Sequence, residues 1–453
     1  MLLLISVSIL IMVWVVVRRM IHQQKDRRLA LECRWYRSTV GSIVEGKFWG
    51  DPTQLRKKPG TLEWKAIEQL LLEKMESSSK EQQKRLMRML EQLGYTKFYI
   101  EALRTGVFWK RSEAALRLGQ MRSSEATPFL IQSLSDPDPD IPQKAVQALG
   151  RIHDPKAIRA LVEQIPQSTT AEPKISRELL KASLIAQGEK VIPMLLPLLV
   201  DPHDEVRILV AEILAESSSV NAVASLIKGL NDAHPEVRAR AACALGRIRH
   251  PLAVKPLISM LLDPFWYVRL QSAQSLGKIG SPRAVFGLCN CLGDSHWQVR
   301  AAAARSLMEI GPIATEALTT YLLYTRDRYT GQQIAEVLQQ SGLVDQWIQD
   351  LVAPEAHTTE KAQNILTAIA RSFLLDSFVN AARRHPNKQV RLRWVEILSE
   401  IINLQTSKVL RQISLYDSDL EVRAVAQDAL SRRLRHRLVF KHAGSVTGHP
   451  SVG

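Results

Sequence analysis

The chain has 453 residues, 60 Lys and Arg against 45 Asp and Glu, and a net charge of +15 at pH 7. That length exceeds what one hydrophobic core normally serves, and four cysteines spread along it exclude a disulfide framework. The excess charge does not mark a nucleic-acid binder: residues 1–60 carry +7 and residues 431–453 carry +5, leaving only +3 for everything between.

Met1 to Val17 holds no charged side chain, and Ser6 and Ser8 are its only polar ones. As a helix the run is about 26 Å long, slightly short of the roughly 30 Å hydrocarbon layer. Arg18 and Arg19 can snorkel and extend the span to Met20 and Ile21, with Trp14 suited to an interface. A cleaved signal peptide needs a positive region before the run and a small-x-small site after it. Neither is present, so residues 1–21 are predicted to form an uncleaved transmembrane anchor. Arg18, Arg19, Lys25, Arg27, Arg28, Arg34 and Arg37 all follow the run. The positive-inside rule then predicts a single-pass plasma-membrane protein with its N-terminus outside and the remainder in the cytoplasm.

Residues 22–60 read as a basic juxtamembrane segment and linker, with Gly41, Gly46, Gly50, Pro52, Pro59 and Gly60 breaking the helical pattern from residue 38 onward. Residues 61–105 predict a helical N-terminal cap: one amphipathic run from Leu62 to Met75, a turn at Ser77-Ser78-Ser79, and a second helix from Lys80 to Leu93. Cys33, Cys243, Cys289 and Cys291 read as reduced thiols, and Cys289 and Cys291, two apart on a helix, diverge too far to chelate a metal together.

From residue 106 to 435 the chain repeats itself. Val237-Arg238, Val268-Arg269 and Val299-Arg300 stand 31 residues apart. Five residues after each Val comes Ala (Ala242, Ala273, Ala304), eight after comes Leu (Leu245, Leu276, Leu307), and eleven after comes Ile (Ile248, Ile279, Ile310). These positions share one face of a helix, so each unit offers an apolar stripe for burial. A second apolar helix lies upstream, as in Ala253 to Leu262. Two helices and a turn in each period make a solenoid. About eleven units follow from this spacing, starting near Lys110, Ile141, Ile175, Val206, Val237, Val268, Val299, Thr330, Lys361, Val390 and Val422. Residues 436–453 are basic and rich in glycine, and predict a disordered tail.

The motif Asp-Pro-x-x-x-Val-Arg followed by Ala-x-x-Leu-Gly-x-Ile resembles the HEAT repeat, in particular the short variety named after phycobilin lyases. The resemblance implies an all-α, α-α superhelix of the armadillo-like class, here preceded by one transmembrane helix, and a bacterial source. It also implies a ladder of hydrogen-bonded Asp and Arg, six residues apart within a unit: Asp201 with Arg207, Asp232 with Arg238, Asp263 with Arg269, Asp294 with Arg300, and Asp417 with Arg423. Pro142 stands where the arginine belongs and interrupts that ladder, and the units at Ile175, Thr330 and Lys361 lack both members.

No catalytic, cofactor or metal motif emerges. Leu276-Gly277-Lys278-Ile279-Gly280 lacks the upstream glycine of a phosphate loop, and Gly277 reads as the repeat's turn glycine. No His-Glu pair or His-x-x-x-His occurs on a predicted helix. Two surface features are candidates for partner binding. Trp266 and Trp297 occupy the same position in successive units, where they either grip a partner or pack on the neighbouring turn. Arg240, Arg247, Gln271, Gln274, Lys278 and Arg305 lie on the helix face opposite the stripe, which in HEAT-like solenoids lines the concave groove and suits an acidic protein segment. The same face carries Glu212 and Glu216 one unit earlier, so its field is mixed. The favoured expectation is a membrane-anchored scaffold for a protein partner, with no cofactor and no enzymatic activity. A phycobilin-lyase-like enzyme is the alternative, and a nucleic-acid-binding HEAT-like protein is the less favoured third.

Overall fold

The computed structural model describes residues 2–47, 52–372 and 376–443, and every regular element among them is helical. The fold is an all-α solenoid of helix pairs. It divides into two compact units, residues 1–222 and 223–453.

The first unit opens with α1 (Leu2–Glu45), a single helix of 44 residues. The linker expected from residue 38 therefore begins only after Glu45. The reason is packing against α2 (Leu62–Ser77). Cys33, Val40 and Val44 are buried there, and the Cys33 thiol donates to the Ala66 carbonyl at 3.8 Å. An interior glycine such as Gly41 costs only about 1 kcal/mol, which the burial of two valines outweighs. The expected anchor, residues 1–21, falls within α1, but Met1 and the side chains of residues 2–11 and 21 lie outside the described residues. Among the described residues no single helix is long and apolar enough to cross a membrane. One bent pair, Arg177–Ile185 with Gly188–Val200, passes on length and composition. Its apolar side chains, including Leu180, Leu184, Val191 and Leu195, are buried within the repeats.

Helix α2 starts at Thr61, whose hydroxyl accepts from the Trp64 N–H, and α3 (Lys80–Gln92) starts with a capping box between Ser79 and Gln82. With α4 (Tyr95–Thr105) they enclose an aromatic cluster in which the Trp64 and Tyr95 rings are 4.6 Å apart and the Tyr95 hydroxyl donates to the Trp64 carbonyl at 2.8 Å. The repeats follow as α5 (Phe108–Met121), α6 (Asp140–Arg151), α7 (Arg177–Ile185) and α8 (Asp204–Ser217).

The second unit contains α9 (Pro235–Ile248), α10 (Trp266–Ile279) and α11 (Trp297–Ile310), which carry the motif. It continues through α12 (Pro312–Tyr324), α13 (Arg328–Gln340), α14 (Ala356–Ser372), α15 (Lys388–Glu400), α16 (Leu404–Tyr416) and α17 (Leu420–Ala443). In α9, α10 and α11 the Val, Ala and Leu of the stripe are fully buried. The isoleucines at its end, Ile248, Ile279 and Ile310, are only half-buried, because each is the last residue of its helix. Beyond the first two the chain turns left-handed at Arg249 (φ 58°) and Gly280 (φ 73°).

Gly277 is not the turn glycine. It sits inside α10 and lets α11 approach closely. A β-carbon at Gly277 would stand 2.6 Å from Ser306 Oγ, and one at Gly246 would stand 2.3 Å from Ser275 Oγ. Each serine caps the contact by donating back across it: Ser275 to the Ala242 carbonyl at 2.7 Å, and Ser306 to the Ala273 carbonyl at 2.8 Å. Glycine in one helix and serine in the next thus set the spacing between neighbours.

The tail expected from residue 436 is helical as far as Ala443, where α17 ends. Residues 444–453 lie outside the described residues. Gly246→Ala and Gly277→Ala are each expected to lower stability by about 1–3 kcal/mol through overpacking. Gly293→Ala, whose nearest neighbour is 3.6 Å away, is expected to be close to neutral. Urea unfolding followed by circular dichroism measures all three.

Candidate functional site

In the turns that keep the motif, the leading aspartate accepts through Oδ1 the N–H two residues on. Asp136 does so from Asp138, Asp201 from His203, Asp263 from Phe265, Asp294 from His296 and Asp417 from Asp419. The arginine six residues later does not take that carboxylate. Its Nη1 donates to the main-chain carbonyl instead: Arg207 to Asp201 at 2.8 Å, Arg238 to Asp232 at 2.9 Å, Arg269 to Asp263 at 2.8 Å and Arg300 to Asp294 at 2.7 Å.

The Nε and Nη2 edge of the fork points onward, to the aspartate of the next unit, 25 residues ahead. Arg238 grips Asp263 at 2.8 and 3.0 Å, and Arg269 grips Asp294 at 2.7 and 2.8 Å. Arg238 and Arg269 are therefore paired with the aspartate 25 residues ahead and not, as the resemblance implies, with the carboxylate six residues behind. An arginine in the first turn of its helix reaches the following turn, while its own turn offers it only a carbonyl. Asp417 is held by Arg391 at 3.0 and 3.1 Å rather than by Arg423. Arg111 likewise grips Asp136 at 3.1 and 3.0 Å. Both Arg111 and Arg391 escaped the sequence reading because no aspartate stands six residues before either one. They need none.

These pairs are bidentate and shielded. In the Arg391 pair the side chains are 8% and 1% exposed, and in the Arg238 pair 12% and 4%. Such a pair adds little net stability, yet removing one partner strands a buried charge. Burial pushes the Asp294 carboxyl up, but hydrogen bonds from Arg269 and from the His296 N–H outweigh it and hold the group below the ordinary 3.8.

The second candidate feature is the solvent-facing side of α9, α10 and α11. Arg240, Arg247, Lys278 and Arg305 are exposed there, with Gln271 and Gln274 half-buried between them. Arg240 pairs with Glu236 on its own helix at 2.8 Å. Glu309 adds a second carboxylate near Gly277, so four cations stand with two acids. In the first unit the same side of α7 and α8 is closed on itself: Arg177 meets Glu205 at 3.1 Å, and Lys181 meets Glu212 and Glu216 at 3.9 and 3.3 Å.

The two tryptophans part company. Trp266 is half-buried and stacks on His296 of the next turn, centroids 5.6 Å apart and planes at 8°. Trp297 is 59% exposed. Thirty-one residues after His296 stands Asp327, which offers Trp297 no ring. Among the described residues no three His, Cys, Asp or Glu side chains are grouped to hold a metal ion.

Residues 96–180, 192–264 and 254–339 match the family model of HEAT repeats. No curated protein matches the chain. Solved structures similar to it include an engineered protein, at 18% identity over 84% of this chain and 97% of that one, with a TM-score of 0.30. Kap95p in its complex with RanGDP is 12% identical over 89% of this chain and 63% of its own, with a TM-score of 0.41. Human deoxyhypusine hydroxylase in complex with glycerol is 20% identical over 62% and 98%, with a TM-score of 0.25. At these scores the likenesses carry no functional argument.

The first prediction separates onward pairing from pairing within a unit. Asp263→Ala leaves Arg238 buried without its carboxylate and is expected to cost about 3–5 kcal/mol. Asp201→Ala is expected to cost about 1 kcal/mol, the scale of a lost cap, since Ser176 stands where its arginine would be. The second concerns acid. Because the Asp294 carboxyl is held below 3.8 in the fold, its contribution is complete above about pH 4 and is lost as pH falls through the folded value. The difference in melting temperature between wild type and Asp294→Asn is expected to be largest near neutral pH and to shrink below about pH 4.

Proposed function

The chain belongs to the HEAT-repeat family, and on that premise we propose that it is a membrane-tethered scaffold that binds a protein partner through the exposed face of α9, α10 and α11. The observation that carries the reading is the division of labour on those helices. One face buries the Val, Ala and Leu of the stripe, and Arg240, Arg247, Lys278 and Arg305 are exposed on the other. Four cations against Glu236 and Glu309 favour a segment with net negative charge. The self-paired charges on α7 and α8 leave less for a partner to engage.

The tether rests on α1. Met12, Val13, Trp14, Val15, Val16 and Val17 are consecutive, go more than once around the helix, and are each about half exposed or more. A helix that is apolar on every side needs an apolar surrounding. The basic residues that follow favour a solenoid on the cytoplasmic side of the plasma membrane. Because α1 continues without a break into the packing against α2, tether and solenoid form one piece at that end. No catalytic group enters this account, and the protein acts by holding its partner near the membrane.

Proximity labelling in membranes tests both parts. The full chain is expected to label one protein partner, and the variant with Arg240, Arg247, Lys278 and Arg305 changed to Glu is expected to lose it. Unchanged labelling would move the interface elsewhere. Sodium carbonate washing is expected to leave the chain in the membrane pellet, and its release would remove the tether from the account.

A further inference from the structure

The ladder is interrupted at Arg300 and resumes only with Arg391 and Asp417. Arg300 Nη1 donates to the carbonyls of Asp294 and Ser295 at 2.7 and 3.3 Å, as Arg269 does to Asp263 and Pro264 at 2.8 and 3.1 Å. The Nη1 side of the fork is therefore set as in the preceding rung, and the position 25 residues ahead is residue 325. There the chain has Thr in place of Asp. The backbone has not changed: Thr325 adopts φ −68° and ψ 137°, against φ −57° and ψ 140° at Asp136 and φ −62° and ψ 143° at Asp417. Even the turn bond survives, since Thr325 Oγ1 accepts the Asp327 N–H at 3.3 Å. What is missing is the carboxylate, and Arg300 Nε is shielded from solvent without a hydrogen-bond partner.

Asp327 lies close enough for its charge to be felt by Arg300, but its oxygens are committed to the start of α13, where they accept from the N–H groups of Tyr329 and Thr330 and from the Thr330 hydroxyl. A second repeat feature fails at the same junction. Trp266 is covered by His296 of the next turn, whereas Trp297, three residues before Arg300 on α11, is exposed. Gln333 of α13 donates to the Trp297 carbonyl at 3.3 Å, which ties that helix to the start of α11. Tyr324 and Tyr329, on either side of Thr325, are 80% and 71% exposed. Arginine and exposed aromatic rings are the side chains that anchor interfaces.

The geometry points to a docking site at this broken rung for an extended acidic segment of the partner protein, its carboxylate taken by the Arg300 fork and a flanking ring laid on Trp297. The inference rests on the scaffold reading for its occupant, a protein, and adds where that protein is held and by what chemistry. Arginine and carboxylate form the charge-assisted pair that discriminates acid from amide.

The probe comes from the chain itself. Residues 292–297 read Leu-Gly-Asp-Ser-His-Trp and present Asp294 to Arg269 and His296 to Trp266. A fluorescein-labelled peptide of that sequence, and its Asp→Asn counterpart, are titrated against the full chain in detergent by fluorescence polarisation. The acidic peptide is expected to bind about tenfold more tightly than the amide. Arg300→Gln and Thr325→Asp are each expected to erase the preference. Thr325→Asp should also raise the melting temperature, because it completes the rung from within and so cannot be dismissed as misfolding. Equal binding of the two peptides overturns the proposal, as does an undiminished preference in Thr325→Asp. Displacement by sodium acetate as readily as by unlabelled peptide also overturns it, since the site then takes any carboxylate. If the four charge reversals abolish partner labelling while the peptides show no preference, this site falls and the scaffold reading stands. If the peptides show the preference while labelling is indifferent to those reversals, this site stands and the interface on α9, α10 and α11 falls.

Discussion

The arginine fork that reaches from one unit to the turn of the next is the constraint on which the repeats depend. A unit of two helices cannot bury its own stripe, so its stability comes from its neighbours. Apolar packing supplies most of that energy but is indifferent to small slips along a helix. The fork is not. Its Nη1 holds the carbonyl of its own turn while Nε and Nη2 hold the carboxylate of the following one, so a single side chain measures the distance between two turns. The glycine-to-serine contacts at Gly246 and Gly277 do the same on the helix side. Register is thus specified by polar groups at two places, and the Val, Ala and Leu stripe fills the space between them.

Much of this was legible in the sequence. The stripe and the 31-residue period are local properties of helices, and a linear reading finds them. The partner of each arginine was not legible, for a specific reason. Six residues back and 25 residues forward differ by one whole period, so a regular repeat looks the same under either pairing. Only the irregular units distinguish them: Arg111 and Arg391 lack an aspartate behind yet have one ahead. Gly277 misled in a similar way, because turn glycines and close-contact glycines both recur with the period of the stripe, and of Gly277 and Gly280 only the latter has a positive φ. The continuation of α1 past Gly41 was hidden because the packing of Val40 and Val44 on α2 is a long-range effect.

The irregularities also carry the functional account. Where the pattern is complete, the polar groups of a turn are occupied and the surface has little left to offer. At Thr325 one methyl-bearing side chain replaces a carboxylate on an otherwise unchanged backbone, and at Trp297 a ring loses its cover. Of the exposed cations, Arg305 shares α11 with Trp297, and the apolar run of α1 is continuous with the first layer of packing. A scaffold needs both a regular body and departures from regularity, since the first keeps its shape and the second admits a partner.

The most direct test of the central claim is a pair of double-mutant cycles on Arg269, one with Asp294 and one with Asp263, read by urea unfolding. Each arginine change is to Met and each aspartate change to Asn. Onward pairing predicts a coupling of about 2 kcal/mol or more between Arg269 and Asp294, and less than about 0.5 kcal/mol between Arg269 and Asp263, whose carbonyl survives the substitution. The reverse order would mean that the units are tied within themselves, and the onward ladder with its broken rung at Arg300 would have to be abandoned.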